Sequence, residues 1–400
     1  MPLAEFGNFT FLYTNCLKMR IYLDNAATTA IDPEVVEAML PYLQNTYGNP
    51  SSIHGFGRES RAGIEKSRKT VAELLHTAPA NIFFTSGGTE ADNCAIVSTI
   101  TQKGIRHALT SPLEHHAVIH TLQHLQKQGK VELTLLEVDR QGSLNMDQLH
   151  QWIASHPQSF VSLMHGNNEI GNLNPVVEIA EEVHASGGVF HSDTVQTLGH
   201  FRHDLAKWKT HFMVGAAHKF HGPKGIGFLY ISPDIKIDPL IHGGAQERNM
   251  RGGTENVYGI VGLAKALEMA YSDMDSHRTH IEGLKHYMIG KLKDQIADVQ
   301  FNGRSADLEN SLYTVLNVSL PPSEISEMLI FNLDIHQIAA SGGSACSSGS
   351  EIGSHVLQAL GVDPERAAVR FSFGKYNTKE EIDIVVQALA KMYAAKEVAV

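Results

Sequence analysis

The chain has 400 residues, 42% hydrophobic and 19% charged, the proportions of an ordinary globular protein. A formal net charge of −11 without a basic block argues against nucleic acid as the main partner. Three scattered cysteines, Cys16, Cys94 and Cys346, make neither a disulfide framework nor a self-contained zinc–thiolate site, and no apolar run approaches membrane length, so a reducing, cytoplasmic setting is expected.

Residues 1–18 lack the basic start and apolar core of a secretory signal, and no role attaches to them. "RIYLDNAATTAIDPEVVEAMLPYL" reads as a short strand, a polar turn and a helix, with Asp32 as N-cap and Pro33 at the first helical position. In "RAGIEKSRKTVAELLHT", Ile64, Val71, Leu74 and Leu75 recur at helical spacing. "NIFFTSGGTEADNCAIVSTI" reads strand, glycine turn, helix, and "HALTSPLEHHAVIHTLQHL" and "FVSLMHGNNEIGNLNPVVEIAEEVHASG" repeat the order. "GVFHSDTVQT" adds a strand, and "FMVGAAHKFHGPKGIGFLYI" reads as two strands around a Gly/Pro-rich loop.

Strands alternating with helices predict an α/β fold with a mainly parallel sheet covered on both faces, whose ligands bind at the carboxyl ends of the strands. Five polar clusters fall there: Gly87–Thr89, Glu114–His115, Asn167–Glu169, Asp193 and His218–Lys219. After about residue 258 a long helical stretch is followed by the strand "TVLNVSL", a helix around "SEISEMLIFNL", and the strand and helix of "AVRFSFGKYNTKEEIDIVVQALAKMY". A large domain over 19–262, whose first residues can instead join the smaller one, and a smaller α+β domain over 263–400 are expected. The smaller domain carries a Ser/Gly-rich segment at 340–354, and small residues of that kind make a loose tether for Cys346.

At "FTSGGTEADN" the free N–H groups and dipole of a helix start make an anion site, with Gly87 and Gly88 allowing close approach. Thr89 and Asp92 resemble a capping box, so the stretch reads equally as a capped helix. Lys219, at an apolar strand end, has an amine that desolvation would free for a Schiff base with an aldehyde. Asp193, a carboxylate at a buried strand end, needs a cationic partner. Phosphate cup, lysine and aspartate together are the requirements of pyridoxal 5'-phosphate, whose protonated ring nitrogen supplies the cation.

"YLDNAATT", "YGNPSSIH", "SGGTEADN", "EHHAV", "NNEIG", "HSDTVQT", "AHKFHGPKG", "MRGGTENV", "SGGSACSSGS" and "VRFSFGKYNT" follow in that order. Together, over residues 20–390, they resemble the NifS/IscS-type cysteine desulfurases, pyridoxal-phosphate enzymes of fold type I. The resemblance implies a seven-stranded mixed sheet in the large domain. It implies that Lys219 anchors the cofactor and that His115 stacks on its ring and takes part in proton transfer. Asp193 pairs with the ring nitrogen, Gln196 and Asn168 contact its phenolic oxygen, and Gly88, Thr89 and His218 hold the phosphate. Thr254 reaches the phosphate of the other subunit of a homodimer. Arg370, with Asn25 nearby, binds the carboxylate of L-cysteine, and Cys346 accepts its sulfur for delivery to an iron–sulfur scaffold or a tRNA-thiolating acceptor protein.

Other readings remain open at this level. Arg370 is also an ordinary strand arginine, Asn25 and Asn168 are also turn residues, and His116 competes with its neighbour His115 for the inward position. Cys94, on an apolar helix face, reads as core. A selenocysteine lyase or another fold-type I enzyme such as an aminotransferase is the alternative activity; an idle sulfur-carrier scaffold is a third reading, disfavoured by Lys219, Asp193, His115 and Cys346 together. The chain also departs from the family, which has a phosphate-binding serine two residues before the histidine of the His-Lys pair. Here that position is Ala216, so one hydrogen bond of about 1.5–3 kcal/mol is expected to be missing.

Overall fold

The computed structural model describes residues 20–342 and 353–394. Twelve strands are described: β1 (Ile21–Tyr22), β2 (Ile82–Thr85), β3 (His107–Thr110), β4 (Glu132–Leu135), β5 (Phe160–Ser162), β6 (Val189–Asp193), β7 (Phe212–Ala216), β8 (Gly227–Ile231), β9 (Gln300–Phe301), β10 (Val315–Leu320), β11 (Ile338–Ala339) and β12 (Ala367–Ser372). The helices are α1 (Pro33–Gln44), α2 (Gly55–Leu74), α3 (Gly88–Lys103), α4 (His116–Lys127), α5 (Met146–Ser155), α6 (Val176–Ala185), α7 (Val257–Ser272), α8 (Met274–Gln295), α9 (Leu329–Ile335), α10 (His355–Ala359) and α11 (Lys379–Ala394).

Seven strands form the main sheet in the order β2-β8-β7-β6-β5-β3-β4. Pairing is parallel from β7 through β4, and only β8 runs against its neighbours β2 and β7. The expected mixed, mainly parallel sheet is thus the one observed. Side chains alternate across it: Phe212 and Val214 pack toward α3 and α4, while Met213 packs toward α2 and α7. A second core, beneath α5 and α6, takes Val161 and Phe190. Both faces are covered, which is why these strands are apolar on both sides.

The smaller unit is built on the antiparallel sheet β12-β10-β9, with α8 and α11 over a core that includes Leu284, Met288, Val318, Phe371 and Val386. The long helical stretch after residue 258 is two helices, parted at Asp273. Residue 262 lies inside α7, which packs on α1 and α2; Met274 still joins that core, and Ile281 is the first α8 residue in the core of the smaller unit. The first strand pairs with the smaller unit, Ile21 opposite Ile338. Asp32 precedes α1 as expected, but its carboxylate caps nothing; it binds Lys375 Nζ at 2.6 Å and Tyr376 Oη at 2.5 Å, tying α1 to the smaller unit.

Candidate active site

The carboxyl ends of β2, β3, β5, β6 and β7 open onto one cavity of about 270 Å3. Gly88, Thr89, His115, Asn168, Asp193, Gln196, His218, Lys219 and Arg370 line it, with Asp92 and Ala216. Strand geometry explains the convergence, since parallel strands end on the same edge and each is followed by its polar turn.

On one side, α3 begins at Gly88 and presents N–H groups that have no acceptor within the helix. A Cβ on Gly88 would lie 2.9 Å from Val195 Cγ2, so only glycine lets this turn sit so close to the β6 edge. The capping box expected from Thr89 and Asp92 does not form. Gly87 occupies the N-cap position, and Glu90 reaches back to accept the Ser86 N–H at 3.0 Å. Asp92 instead points into the protein, 1% exposed, with Oδ1 3.3 Å from His191 Nε2 and without a hydrogen bond to that oxygen among the described residues.

Ala216 is buried at the end of β7, its methyl facing the Gly88 turn. It is followed by a 3-10 turn holding His218 and Lys219. Burial, then the Lys219 and Lys224 charges, push His218 down to about 4. Lys219 Nζ donates to the carbonyls of Ala26 and Ala27 at 2.6 and 2.8 Å, and Gln196 Nε2 also donates to Ala26. His115 caps α4, its Nδ1 accepting the Ala117 N–H at 3.2 Å, which fixes the ring. Burial lowers the His115 pKa and Lys219 adds to this, against the Asp193 charge. His116, the competing neighbour, turns away toward His355.

Three buried carboxyls crowd the floor. Asp193 accepts only the Val195 N–H among the described hydrogen bonds, and desolvation raises its pKa against the pull of His115 and Lys219. Asp92 is raised by burial and then by Asp193 and Glu114. Glu114 accepts from the Met164 N–H and Ser111 Oγ, and burial pushes it up to about 8. Asp92, His115 and Asp193 each offer a ligand-type atom, all within 4.8 Å of one another. Such a set is neutralised by protons or by a positive partner.

Arg370, 1% exposed, gives one N–H to Asp24 Oδ1 at 2.8 Å and one to the Asn168 carbonyl at 3.0 Å, while its Nε has no hydrogen-bond partner among the described residues. Asp24 as the residue orienting Arg370 has no local signal in the sequence, because the two are 346 positions apart. Asn25 is not among the residues lining the cavity; its amide donates to the Ser372 carbonyl and to Asn377 Oδ1. Thr254 lines a separate cavity with Arg251 and Glu255, and one chain does not bring it to Lys219. Cys346 lies outside the described residues. The residues flanking that segment are anchored at the cavity's edge: Ser341 pairs with the Arg370 backbone, and Ser354 Oγ bonds the Glu169 carboxylate. Cys94 is buried in the α3 core.

These donors fit pyridoxal phosphate: a helix start for a phosphate, an amine for an aldehyde, and an unmatched buried carboxylate for a pyridinium. The chain matches the model of the "Aminotransferase class-V" family over residues 21–385. The chain belongs to this family. Among class-V members it is 42% identical over 382 residues to "Cysteine desulfurase IscS" of Dictyoglomus turgidum, covering 94% of this chain and 95% of the relative. It is 41% identical over 376 residues to "Putative cysteine desulfurase IscS 1" of Bacillus subtilis, covering 93% and 98%. A solved structure titled "NIFS-LIKE PROTEIN" superposes with a TM-score of 0.87 at 36% identity, covering 94% of this chain and all of that one.

Proposed function

We infer that this class-V enzyme is a pyridoxal-phosphate-dependent cysteine desulfurase that converts L-cysteine to L-alanine and leaves the sulfur as a persulfide on Cys346. One observation carries the reading: Lys219, Asp193, His115 and Arg370 line a single cavity in a chain with named cysteine desulfurase relatives. The cofactor, when bound, supplies an electron sink for the substrate α-carbon.

The protein's own residues divide the remaining work. Gly88, Thr89 and His218 hold the phosphate, Asn168 and Gln196 the phenolic oxygen, and Asp193 the ring nitrogen. Arg370, oriented by Asp24 and supported by Asn25, holds the substrate carboxylate through a guanidinium fork. The Lys219 amine would take and return the α-proton, with His115 positioned beside it. The Cys346 thiolate attacks the substrate sulfur; the S–S bond forms as the C–S bond breaks, and the electron pair left on carbon is protonated to give alanine. L-cysteine and a thiol enter, alanine and a persulfide leave, and no outside oxidant or reductant is needed.

The proposal extends to a homodimer in which Thr254 completes the phosphate site of the other subunit. Tyr47 at 73% exposure and Ile53 at 91%, in the α1–α2 connection, and Phe56 at 54%, at the start of α2, support it, because so much neighbouring apolar surface favours a covering partner. The persulfide then passes to an iron–sulfur scaffold or a tRNA-thiolating protein in the cytoplasm. Purified protein mixed with L-cysteine and pyridoxal phosphate should release alanine and, with a thiol reductant, sulfide. Cys346→Ser should abolish both while retaining the cofactor's visible absorbance. Undiminished turnover in that variant rejects the assigned acceptor.

A further inference from the structure

A histidine cluster away from the cofactor cavity joins α4 to α10. His116 and His120 stand one turn apart on α4 with rings stacked 4.4 Å apart. His355, the first residue of α10, lies 4.6 Å from the His116 ring, with its Nδ1 3.1 Å from His116 Nε2. Its other nitrogen, Nε2, is 2.9 Å from the Glu114 carbonyl. A carbonyl only accepts, so His355 carries its proton on Nε2 and turns the Nδ1 lone pair toward His116. A metal-binding histidine is held in this way, its outer N–H on a backbone carbonyl and its inner lone pair toward the ion.

The distances agree with that use. Two nitrogens about 2.0–2.1 Å from one ion, at angles between a right angle and the tetrahedral value, are about 2.9–3.4 Å apart. The observed 3.1 Å falls inside that interval. Histidines four residues apart on a helix share a face, the spacing by which helices supply two zinc ligands. The His120 ring is exposed and free to turn about its outer torsion toward the other two. Burial, with the neighbouring histidines, holds His116 down to about 4, so its imidazole is neutral at physiological pH.

We propose that His116, His120 and His355 form a binding site for one divalent transition-metal ion of the zinc type, which clamps the start of α10 onto the start of α4. The ion takes the place of the single proton between His116 Nε2 and His355 Nδ1. The displaced Nε2 proton of His116 is taken up at its Nδ1 through solvent, so the ring stays neutral and no net proton is released from this pair, and water completes the coordination. The site is independent of Lys219 and of the desulfurase reading.

Purified full-length protein, free of L-cysteine, should bind one Co2+ per chain with the visible bands of nitrogen-ligated cobalt, and Zn2+ should displace it. His116→Ala, His120→Ala and His355→Ala should each weaken Zn2+ binding at least ~10-fold, the lower bound found even for groups one shell removed from a metal. Cys346→Ser should bind as the parent does, which separates the histidines from the thiol. Zn2+ should also slow amide hydrogen exchange at residues 355–359. Should His116→Ala fail to fold, exposed His120→Ala carries the test. Absence of saturable Co2+ binding, or binding lost in Cys346→Ser and retained in the histidine variants, overturns the site.

Discussion

Glu247 and Asp193 are both buried carboxylates, yet their surroundings differ completely. Glu247 meets Arg68 in a two-bond pair of 2.7 and 2.8 Å and also accepts the Phe84 N–H at 2.9 Å. Arg68 gives a further N–H to the Ile82 carbonyl. This pair holds a turn in which Glu247, Arg248 and Asn249 all have left-handed backbones, with φ of 44°, 55° and 68°, a conformation that is unfavourable for residues with side chains. Asp193 has one backbone N–H, two acidic neighbours and the partial offset of His115 and Lys219. The fold satisfies a buried charge where only architecture depends on it, and leaves it incompletely matched where a cationic ligand completes the site.

Variants can break that contrast. Glu247→Ala leaves the Arg68 cation buried without a partner and should lower unfolding free energy by about 3–5 kcal/mol, read from urea denaturation. The acidic floor should respond in the opposite sense. Burial raises Glu114 from 4.5 to about 8, so the folded protein keeps a proton that the unfolded chain releases. Its contribution is therefore full below pH 4.5, declines as pH rises, and is lost above about 8. In the cofactor-free protein this fall should amount to a few kcal/mol, on the order set by such a shift, and Glu114→Gln, permanently neutral, should flatten it. A variant with the parent's pH slope would move the titration to another group.

Asp193→Asn sharpens the comparison further. It removes one of three crowded acids, so the cofactor-free protein should be as stable as the parent or more so. Cofactor affinity should fall by about 1.5–3 kcal/mol, roughly 10–150-fold, measured by titrating pyridoxal phosphate into apoprotein. Parallel losses of stability and affinity would make Asp193 a structural residue like Glu247. The smallest effect is expected at Ala216. Ala216→Ser restores a hydroxyl facing the Gly88 turn and should tighten the cofactor by about 1.5 kcal/mol, roughly tenfold, and unchanged affinity would mean that the phosphate is already satisfied without it.

Much of the main sheet is legible in the chain itself, because a short continuous apolar run bounded by turn residues is a local property. Phe212-Met213-Val214 specifies a strand buried on both faces whatever surrounds it. The clusters at Gly88, His115, Asn168, Asp193 and Lys219 are legible for the same reason, each lying just beyond such a run. Asp92 is where local reading fails: its spacing from Thr89 suits a cap, but Gly87 ends the turn and the carboxylate is drawn toward His191. Asp32 fails likewise, since Lys375 and Tyr376 arrive from the far end of the chain.

By itself, then, the amino-acid order determined which segments become strands and helices and which chemical groups stand at their ends, because periodicity, turn residues and side-chain type act over a few positions. Only the tertiary structure decided how those groups are charged and aimed. Arg370 is turned by Asp24 from the opposite end of the chain, Glu114 keeps its proton because water is excluded from it, and His115 rather than His116 faces the cavity because its ring caps α4. Desolvation and Coulomb interaction depend on distance in space, and the folded chain alone sets those distances.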